Sequence, residues 1–345
     1  MSRHRHPLLE LTRARFLEFV REPEALFWVF GFPVLMTLAL GIAFRSREAP
    51  PVVVGLVQLE GAVTLRDAMR RAPHLQVLDV SLEAAEAELR HSRIDIIVVP
   101  GVPPTYRYDP SKPESRVARL VVDDALQAAA GRQNVWNARD QRVEQAGSRY
   151  IDWVLPGLLG MNIMGTGLWG IGFSLVQART RKLLKRFMAT PMRRSDYLMS
   201  HVLSRLIFLG LEVAAILGFG VLVFGVPLRG PVWALLVVCL IGALSFGGLG
   251  LLLASRPRTI EGVSGLMNLA MLPMWLLSGV FFSSDRFPEA MQPAIRALPL
   301  TALNEALRGV MLDGAALSAQ WSQVAILTAW GLGCFAVAVK IFRWR

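Results

Sequence analysis

Residues 232–254 read VWALLVVCLIGALSFGGLGLLLA, and this stretch decides the fold class. It contains no charged side chain, and a helix of this length can cross the hydrocarbon core of a bilayer, which needs about 20 apolar residues. Five other stretches of the chain have a similar length and apolar character. The six predicted transmembrane helices are approximately Ala25–Phe44, Pro156–Val176, Val202–Phe224, Val232–Ala254, Val263–Phe282 and Val324–Phe342.

The composition of the whole chain also indicates a membrane protein. Of the 345 residues 53% are hydrophobic and 18% are charged, whereas soluble domains are about 25% charged. The formal net charge is +11, but the chain has no basic patch interleaved with aromatic residues and no zinc-finger spacing, so no nucleic-acid partner is expected. The two cysteines, Cys239 and Cys334, fall within apolar runs, and the five histidines are scattered. Neither a disulfide framework nor a metal site is predicted.

The positions of lysine and arginine predict the orientation of the helices. Seventeen of these residues lie in the N-terminal segment, the loop after the second predicted helix, the turn after the fourth and the tail after the sixth. The short loops on the opposite side hold four. Because short loops rich in lysine and arginine stay in the cytoplasm, the sequence predicts an α-helical membrane protein with six transmembrane helices, N-in and C-in.

Residues 45–152, between the first helix (25–44) and the region of helices two to six (153–345), are soluble in character. Short β-branched runs in this segment are typical of buried strands. The predicted elements are a strand at 51–57, a helix at 81–90 capped by Ser81, strands at 94–100 and 105–108, and a long helix at 115–149 that is broken near Gly131. A small α/β extracytoplasmic domain is therefore expected, because segments of this length are translocated whatever their charge.

The chain lacks the motifs of the common enzyme classes. No phosphate-binding loop of the G-x-x-x-x-G-K-[ST] type, no nucleophile elbow and no H-E-x-x-H helix occurs in it. We therefore expect no catalytic residue, no cofactor bound by this chain and no metal ligand. The chain is not expected to be an enzyme by itself.

Glu212 lies midway along the third predicted helix, where an ionised side chain is costly and often functional. Three interpretations are open. The residue could act in substrate handling or gating, or be a protonated glutamate bonded to a neighbouring helix. It could also pair with Arg205, although seven residues, or two helical turns, is a long reach. Asn162 and Asn268 are expected to form hydrogen bonds between helices.

Two basic segments are predicted to lie at the cytoplasmic membrane surface. Residues 1–24 have the pattern of an amphipathic helix that closes at Glu22-Pro23, because the residue before proline avoids the helical conformation. The loop 177–200 contains KLLKRFMATPMRRSDY at 182–197, in which apolar residues line one face of a short helix ending at Pro191. Each segment fits either a lipid-facing helix or a docking surface for a cytoplasmic partner.

Three stretches of the sequence resemble one family of transporters. ATPMRRSDY at 189–197 is similar to the coupling-helix loop of type-2 ATP-binding-cassette (ABC) exporter permeases. Residues 277–312, LSGVFFSSDRFPEAMQPAIRALPLTALNEALRGVML, resemble the pattern that follows their fifth transmembrane helix. RIDIIVVPG at 93–101, followed by YRYDPSKPESRVARLVVDDALQ at 106–127, resembles the subgroup with a large extracytoplasmic domain between helices one and two. This chain has ARTRKLLK at 178–185, where many members have a Glu-Arg-x-x-G-T motif.

The resemblance implies a multi-pass permease subunit of an ATP-driven exporter in the bacterial inner membrane. Such a subunit forms the translocation pathway in the lipid bilayer together with a second permease copy or a paralogue. Separate cytoplasmic ABC ATPase subunits use the ATP. The alternative hypotheses are a membrane sensor or scaffold with a ligand-binding extracytoplasmic domain, and a secondary transporter.

The resemblance also implies roles for two segments. The loop 177–200 is expected to receive movement from the ATPase, and residues 283–312 are expected to form short re-entrant helices at the outer side. The expected ATPase-coupling residues are Arg181, Lys182, Leu183, Leu184, Lys185, Arg186, Phe187, Met188, Thr190 and Pro191. The residues singled out in the re-entrant segment are Pro299, Leu300, Thr301, Glu305 and Arg308.

Overall fold

The computed structural model describes residues 7–44, 51–133, 136, 139, 147, 149–180, 194–257 and 259–341. The chain divides into two compact units. Residues 46–143 form an α/β unit, and the parts of the chain on both sides of that insertion form a helical unit.

Among the residues that the structure describes, six helices are long and apolar enough to cross a membrane, as predicted, and we number them as spans. They are span 1 (Pro23–Ala43), span 2 (Tyr150–Gln177), span 3 (Leu203–Phe224), span 4 (Val232–Ala254), span 5 (Ile260–Leu277) and span 6 (Leu317–Ile341). The helix of span 2 continues to Thr180, and the helix of span 3 begins at Arg194.

The bounds of these helices differ from the prediction at three places. Span 2 begins at Tyr150 rather than near Pro156, and span 6 begins at Leu317 rather than near Val324. Span 5 ends at Leu277 rather than near Phe282, because the chain turns at Gly279, whose φ is +70°. Glycine adopts this left-handed conformation readily and commonly ends a helix in this way.

A further helix, α1 (Pro7–Val20), precedes span 1 and ends close to the predicted Glu22-Pro23 break. Its Phe16 and Phe19 rings contact the ring of Phe208 in span 3, with centroid distances of 5.4 Å and 4.2 Å. The predicted N-terminal helix is therefore present, and its apolar face packs on span 3.

The α/β unit contains a four-stranded sheet with helices on both faces. Its elements are β1 (Val52–Val57), α2 (Ala62–Arg70), β2 (Leu75–Val80), α3 (Leu82–Arg90), β3 (Ile96–Val99), β4 (Thr105–Arg107) and α4 (Pro113–Ala129). The strand order is β2-β1-β3-β4, with β1 parallel to β2 and β3 and with β4 antiparallel to β3. Successive strand residues point to opposite faces, so Val54, Leu56 and Val98 pack with α2 and α4, whereas Val57 and Ile97 pack with α3.

The prediction for this unit was right for three strands and wrong at two places. Ser81 caps α3 as expected, because its Oγ accepts a hydrogen bond from the backbone N–H of Ala84 at 3.3 Å. Helix α2 and strand β2 were not predicted. The long helix predicted at 115–149 is wrong as a continuous element, because α4 ends at Ala129 and Gly131 has a φ of +91°.

Two short helices follow span 5 in the helical unit, α5 (Gln292–Arg296) and α6 (Pro299–Met311). Spans 2 and 4 form the centre of this unit, with 72% and 61% of their apolar windows buried within the chain. Helix α6 packs on spans 2, 4 and 6. Spans 1, 5 and 6 lie at the periphery, with 17%, 22% and 17% buried. Most residues in the apolar windows of these three helices are therefore not buried within the chain.

Candidate functional site

A buried polar group joins spans 2 and 3, and we call it the Glu212 cluster (Asn162, Thr166, Arg205 and Glu212). Glu212 is 1% exposed. Its Oε1 accepts a hydrogen bond from Arg205 Nη1 at 2.8 Å, and its Oε2 lies 3.1 Å from Thr166 Oγ1 and 3.5 Å from Asn162 Nδ2. Arg205 Nη2 donates to Thr166 Oγ1 at 2.6 Å. The ion pair of span 3 is thus bonded to span 2.

The structure shows that Glu212 pairs with Arg205, although two helical turns is a long reach. A role of Glu212 in substrate handling or gating stays a prediction. The long side chains of Arg205 and Glu212 lie on the same face of the helix, and together they span the distance of two turns. Asn162 contacts Glu212 across the helices, as expected. Asn268 does not act in this way within the described part of the chain, because its side chain is exposed on span 5.

A second polar group fixes α6 to the start of span 2, and we call it the Arg308 cluster (Trp153, Ser278, Gly279, Asn304 and Arg308). The Arg308 guanidinium donates to the backbone carbonyl of Trp153 at 3.3 Å and to that of Gly279. It also lies 3.6 Å above the centroid of the Trp153 ring. Asn304 Nδ2 donates to the carbonyl of Ser278 at 2.9 Å. The cluster therefore joins α6, the end of span 5 and span 2.

Two glycines of span 2 allow this close packing. A Cβ atom at Gly157 would lie 2.6 Å from the carbonyl oxygen of Val280, and one at Gly160 would lie 2.1 Å from Asn304 Oδ1. Both contacts are far below van der Waals separation. A larger residue at Gly157 would push the backbone of the turn after span 5 away from span 2, and one at Gly160 would displace the Asn304 side chain.

The structure places the residues predicted for the re-entrant segment on α6. Pro299, Leu300 and Thr301 form its first turn and are buried. Glu305 is exposed, and its Oε2 accepts a hydrogen bond from Gln323 at 3.3 Å. Arg308 faces span 2 in the cluster described above. The five residues are therefore brought onto one helix but point to different surroundings.

The predicted ATPase-coupling residues lie outside the described residues. They are Arg181, Lys182, Leu183, Leu184, Lys185, Arg186, Phe187, Met188, Thr190 and Pro191. The structure does describe the helices on either side of these residues, span 2 and span 3, which the Glu212 cluster joins.

A third polar contact joins the start of span 2 to the end of span 3. The carboxylate of Asp152, which is fully buried, accepts two hydrogen bonds from the Arg149 guanidinium at 3.0 Å and 2.8 Å. Arg149 also donates to the carbonyls of Phe224 and Gly225 at 2.9 Å and 3.1 Å. Hydrogen bonding to Asp152 is the main reason why the pKa of Arg149 is raised above its ordinary value.

We expect Asp152→Ala to lower the free energy of unfolding by about 2 kcal/mol, since hydrogen bonds to charged groups each contribute about 1.5–3 kcal/mol. Arg149 would keep its charge partly in solvent but lose the carboxylate that orients it. Thermal unfolding of the purified protein in detergent measures the change. Glu289→Ala, at an exposed carboxylate, is the control and should leave the midpoint unchanged; equal midpoints for both variants would contradict the role of Asp152.

Sequence reasoning missed several members of these groups. Arg149 and Asp152 carry a usable signal, because an acidic residue three positions into a helix commonly caps its start. Thr166 and Trp153 carry none, since each takes part through tertiary packing alone, whereas Ser278 lies within the 277–312 stretch that resembles the family pattern.

The part of the chain that contains these clusters also matches a known protein family. The family described as "ABC-2 type transporter" matches residues 118–312, which is more than half of the chain. Inner membrane transport permease YhhJ of Escherichia coli K12 is 22% identical over 177 residues, covering 50% of this chain and 46% of YhhJ. "Probable multidrug ABC transporter permease YbhS" of the same organism is 22% identical over 346 residues, covering 90% of this chain and 91% of YbhS. Linearmycin resistance permease protein LnrN of Bacillus subtilis 168 is 24% identical over 176 residues, covering 51% of this chain and 46% of LnrN.

The matches to YhhJ and LnrN thus span about half the length of those relatives, whereas the match to YbhS spans nearly all of it. All three relatives are permeases by name. With its six long apolar helices, the chain is a multi-pass inner-membrane protein. Because a single family accounts for more than half of its length, the chain belongs to the ABC-2 type transporter permeases.

Proposed function

We propose that this chain is the membrane-spanning permease subunit of an ATP-driven ABC exporter. The observation that carries the proposal is the family match over residues 118–312, which begins within α4, ends just after α6 and includes every residue of the Glu212 and Arg308 clusters. The words "multidrug" and "resistance" in the names of YbhS and LnrN support outward transport. Two copies of the chain, or one copy and a paralogue, form the pathway.

In this proposal both termini and the loop 177–200 face the cytoplasm, and the α/β unit lies outside, as in the subgroup with a large extracytoplasmic domain. The distribution of lysine and arginine supports this orientation. The α/β unit is inserted between spans 1 and 2 in the sequence, so it lies on the side opposite to α1 and to the loop that follows span 2. Residues 283–312, including α5 and α6, then lie at the outer side.

ATP is used by a separate cytoplasmic ATPase, which docks on residues 181–191. The sequence supports this division, because it has no phosphate-binding loop of its own. Spans 2 and 3 flank the docking loop, and the Glu212 cluster bonds these two spans to each other. A displacement of the loop is therefore delivered to two helices that move as a pair. Glu212 is a positioning residue in this proposal, since it holds the pair together.

The direct test is co-purification of the chain with an ATPase subunit that carries a phosphate-binding loop, followed by measurement of ATP hydrolysis. We expect Arg186→Glu and Phe187→Ala to lose most of the stimulation that the permease gives to the ATPase, because each removes a side chain of the proposed docking surface. Arg116→Glu reverses an exposed charge of the α/β unit and is the matched control.

The outcomes separate the hypotheses. Loss of stimulation in the two loop variants, with normal stimulation in the control, supports the exporter. A chain that purifies without any ATPase and leaves the hydrolysis rate of the candidate unchanged would instead favour a sensor or a secondary transporter.

A further inference from the structure

A groove, which we call the span 4–6 groove, runs between spans 4 and 6 at the end where both helices begin. Its volume is about 740 Å³, with Trp233 of span 4 on one wall and residues between Gly314 and Thr328 on the other. The groove ends close to the point where the two helices touch, because a Cβ atom at Gly248 would lie 2.7 Å from the carbonyl oxygen of Gly331. The helices therefore meet at these glycines and leave the groove towards their N-terminal ends.

The walls of the span 4–6 groove are mainly apolar. Trp233 is joined there by Leu317, Trp321, Val324 and Ala325. At the deep end, the hydroxyl of Thr328 donates a hydrogen bond to the carbonyl of Val324 at 2.7 Å, so this donor is already satisfied within its own helix. Water stays in a cavity where it finds polar partners and leaves apolar cavities dry. The groove therefore suits an apolar occupant.

The length of the groove matches one leaflet of a bilayer. From Leu317 to Thr328 a helix rises by roughly 16 Å, at about 1.5 Å per residue. The hydrocarbon core of a bilayer is about 30 Å thick, so each leaflet contributes about 15 Å. A helix with its side chains is about 10–12 Å wide and does not fit a groove that closes to backbone contact, whereas a slender acyl chain does.

Two tryptophans place the mouth of the groove at the level of the membrane surface. Trp233 is 60% exposed and Trp321 is 72% exposed, although each stands near the start of an apolar span. Tryptophan is enriched where the hydrocarbon core meets the headgroups. An occupant that enters between these rings has its apolar part between the helices and its polar part in the headgroup layer.

The rim of the groove carries one charge of each sign, Arg229 and Asp313, and both residues are exposed. Their backbones are close, because the N–H of Arg229 donates to the carbonyl of Met311 at 2.9 Å and a Cβ atom at Gly314 would lie 3.4 Å from Arg229 Cβ. A guanidinium group binds phosphate well, and a carboxylate accepts hydrogen bonds from an ammonium group. The rim is therefore complementary to a headgroup that carries both a phosphate and an ammonium group.

We propose that the span 4–6 groove binds one phospholipid of the outer leaflet. One acyl chain lies between spans 4 and 6, and a zwitterionic headgroup lies at Arg229 and Asp313. This headgroup has a phosphate and a free ammonium group, as in phosphatidylethanolamine. The choice of the outer leaflet rests on the orientation given with the proposed function, in which the N-terminal ends of both spans face outward.

Native mass spectrometry of the full chain, purified in a mild detergent and supplied with phosphatidylethanolamine, tests the site. We expect the parent to retain one phospholipid per chain. Ala325→Trp fills the groove and should lose most of that lipid. Ala336→Trp introduces the same ring at another exposed position of span 6, outside the groove, and should keep it. Equal lipid retention by Ala325→Trp and the parent overturns the inference.

A second variant tests the mouth of the groove without filling it. Trp321→Ala removes one wall of the mouth, and we expect it to retain less lipid than the parent. Thermal midpoints of delipidated samples show whether each variant is folded. Undiminished retention in a folded Trp321→Ala chain also counts against the site.

Comparison with phosphatidylglycerol, which has the phosphate but no ammonium group, tests the headgroup. We expect the parent to bind phosphatidylethanolamine more tightly. Asp313→Asn should remove this preference, and Arg229→Gln should weaken the binding of both lipids. Arg286→Gln, at another exposed arginine, is the control and should change neither. Equal binding of the two lipids by the parent, or an unchanged preference in Asp313→Asn, overturns the assignment of the headgroup.

These results are separable from those for the exporter. A chain that stimulates its ATPase normally but retains no phospholipid keeps the proposed function and rejects the lipid site. Conversely, a chain that retains phospholipid in the groove without stimulating an ATPase supports the site and counts against the exporter.

Discussion

Glu212→Leu is expected to lower the free energy of unfolding by about 3–5 kcal/mol, the cost of removing one partner from a buried ion pair. The variant leaves the Arg205 guanidinium, whose side chain is 15% exposed, without the carboxylate that accepts its hydrogen bond. It also removes the acceptor next to Thr166 on span 2. The measurement is the thermal midpoint of the detergent-purified chain, together with the amount of folded protein in the membrane.

Two further variants show whether the charge or the shape of Glu212 matters. Glu212→Gln keeps a hydrogen-bonding side chain of the same length and should lose less stability than Glu212→Leu. The double variant Arg205→Met with Glu212→Leu removes both charges, and its stability should return close to that of the parent, because apolar pairs of similar volume replace buried ion pairs without loss. A Glu212→Leu chain as stable as the parent would contradict the structural account of the pair.

The double variant also separates folding from function. If it folds normally and still stimulates the ATPase, the Glu212 cluster serves only to assemble spans 2 and 3. If it folds but fails to stimulate, the charges are needed in the working cycle. This second result is the one we expect from the proposed coupling route, because an apolar contact lets the two helices slide, whereas the directional hydrogen bonds from Arg205 and Glu212 of span 3 to Thr166 of span 2 fix their register.

Span 3 is in contact with α1, the first of the two segments that the sequence predicts at the cytoplasmic surface, and with span 2. Phe208 contacts α1 through Phe16 and Phe19, and Arg205, three residues earlier, bonds to span 2. The helix of span 3 itself begins at Arg194, directly after the proposed docking loop. A movement at either segment therefore acts on the same helix close to the Glu212 cluster.

The six spans could be predicted because hydrophobic length is a local property. Residues 232–254 carry that signal without help from any other part of the chain. The end of span 5 was misplaced because the apolar run continues to Phe282, while the backbone turns at Gly279. Hydropathy does not register a glycine that adopts a positive φ.

Strand β2 shows the same limit within the α/β unit. Its sequence LQVLDV is interrupted by the polar residues Gln76 and Asp79, and Asp79 pairs with Arg66 of α2 at 2.7 Å. Edge strands commonly carry charged and polar residues, and β2 lies at an edge of the sheet, so the run lacks the continuous β-branched pattern that identified β1 and β3. Only the parallel pairing with β1 defines it as a strand.

The polar clusters were the least predictable features. Glu212 could be identified as unusual from its position in an apolar run, but its partner Thr166 lies 46 residues away. Arg308 was singled out in the re-entrant segment, yet its acceptors are backbone carbonyls, which every residue has. A sequence pattern identifies a polar side chain that needs a hydrogen-bonding partner. It does not show which backbone group, distant in the sequence, will be that partner.

Arg308→Ala is expected to have an effect as large as that of Glu212→Leu, about 3–5 kcal/mol, the range found for truncating large buried side chains. It removes the hydrogen bonds to the carbonyls of Trp153 and Gly279 and the contact with the Trp153 ring. The carbonyl groups lose their donor in a region that the chain buries, and a cavity opens between α6 and span 2. Thermal unfolding and limited proteolysis of residues 283–298 measure the loosening.

Arg308→Lys tests whether the shape of the guanidinium is needed. A lysine keeps the charge, but its single ammonium group cannot reproduce the planar fork that reaches two carbonyls while lying on an aromatic ring. We expect it to recover less than half of the lost stability. Arg296→Ala removes an exposed arginine of neighbouring α5 and should change the midpoint little. Full stability of the lysine variant would show that charge alone holds α6, whereas an effect of Arg296→Ala equal to that of Arg308→Ala would show that the loss reflects the net charge of the segment rather than the contacts of Arg308.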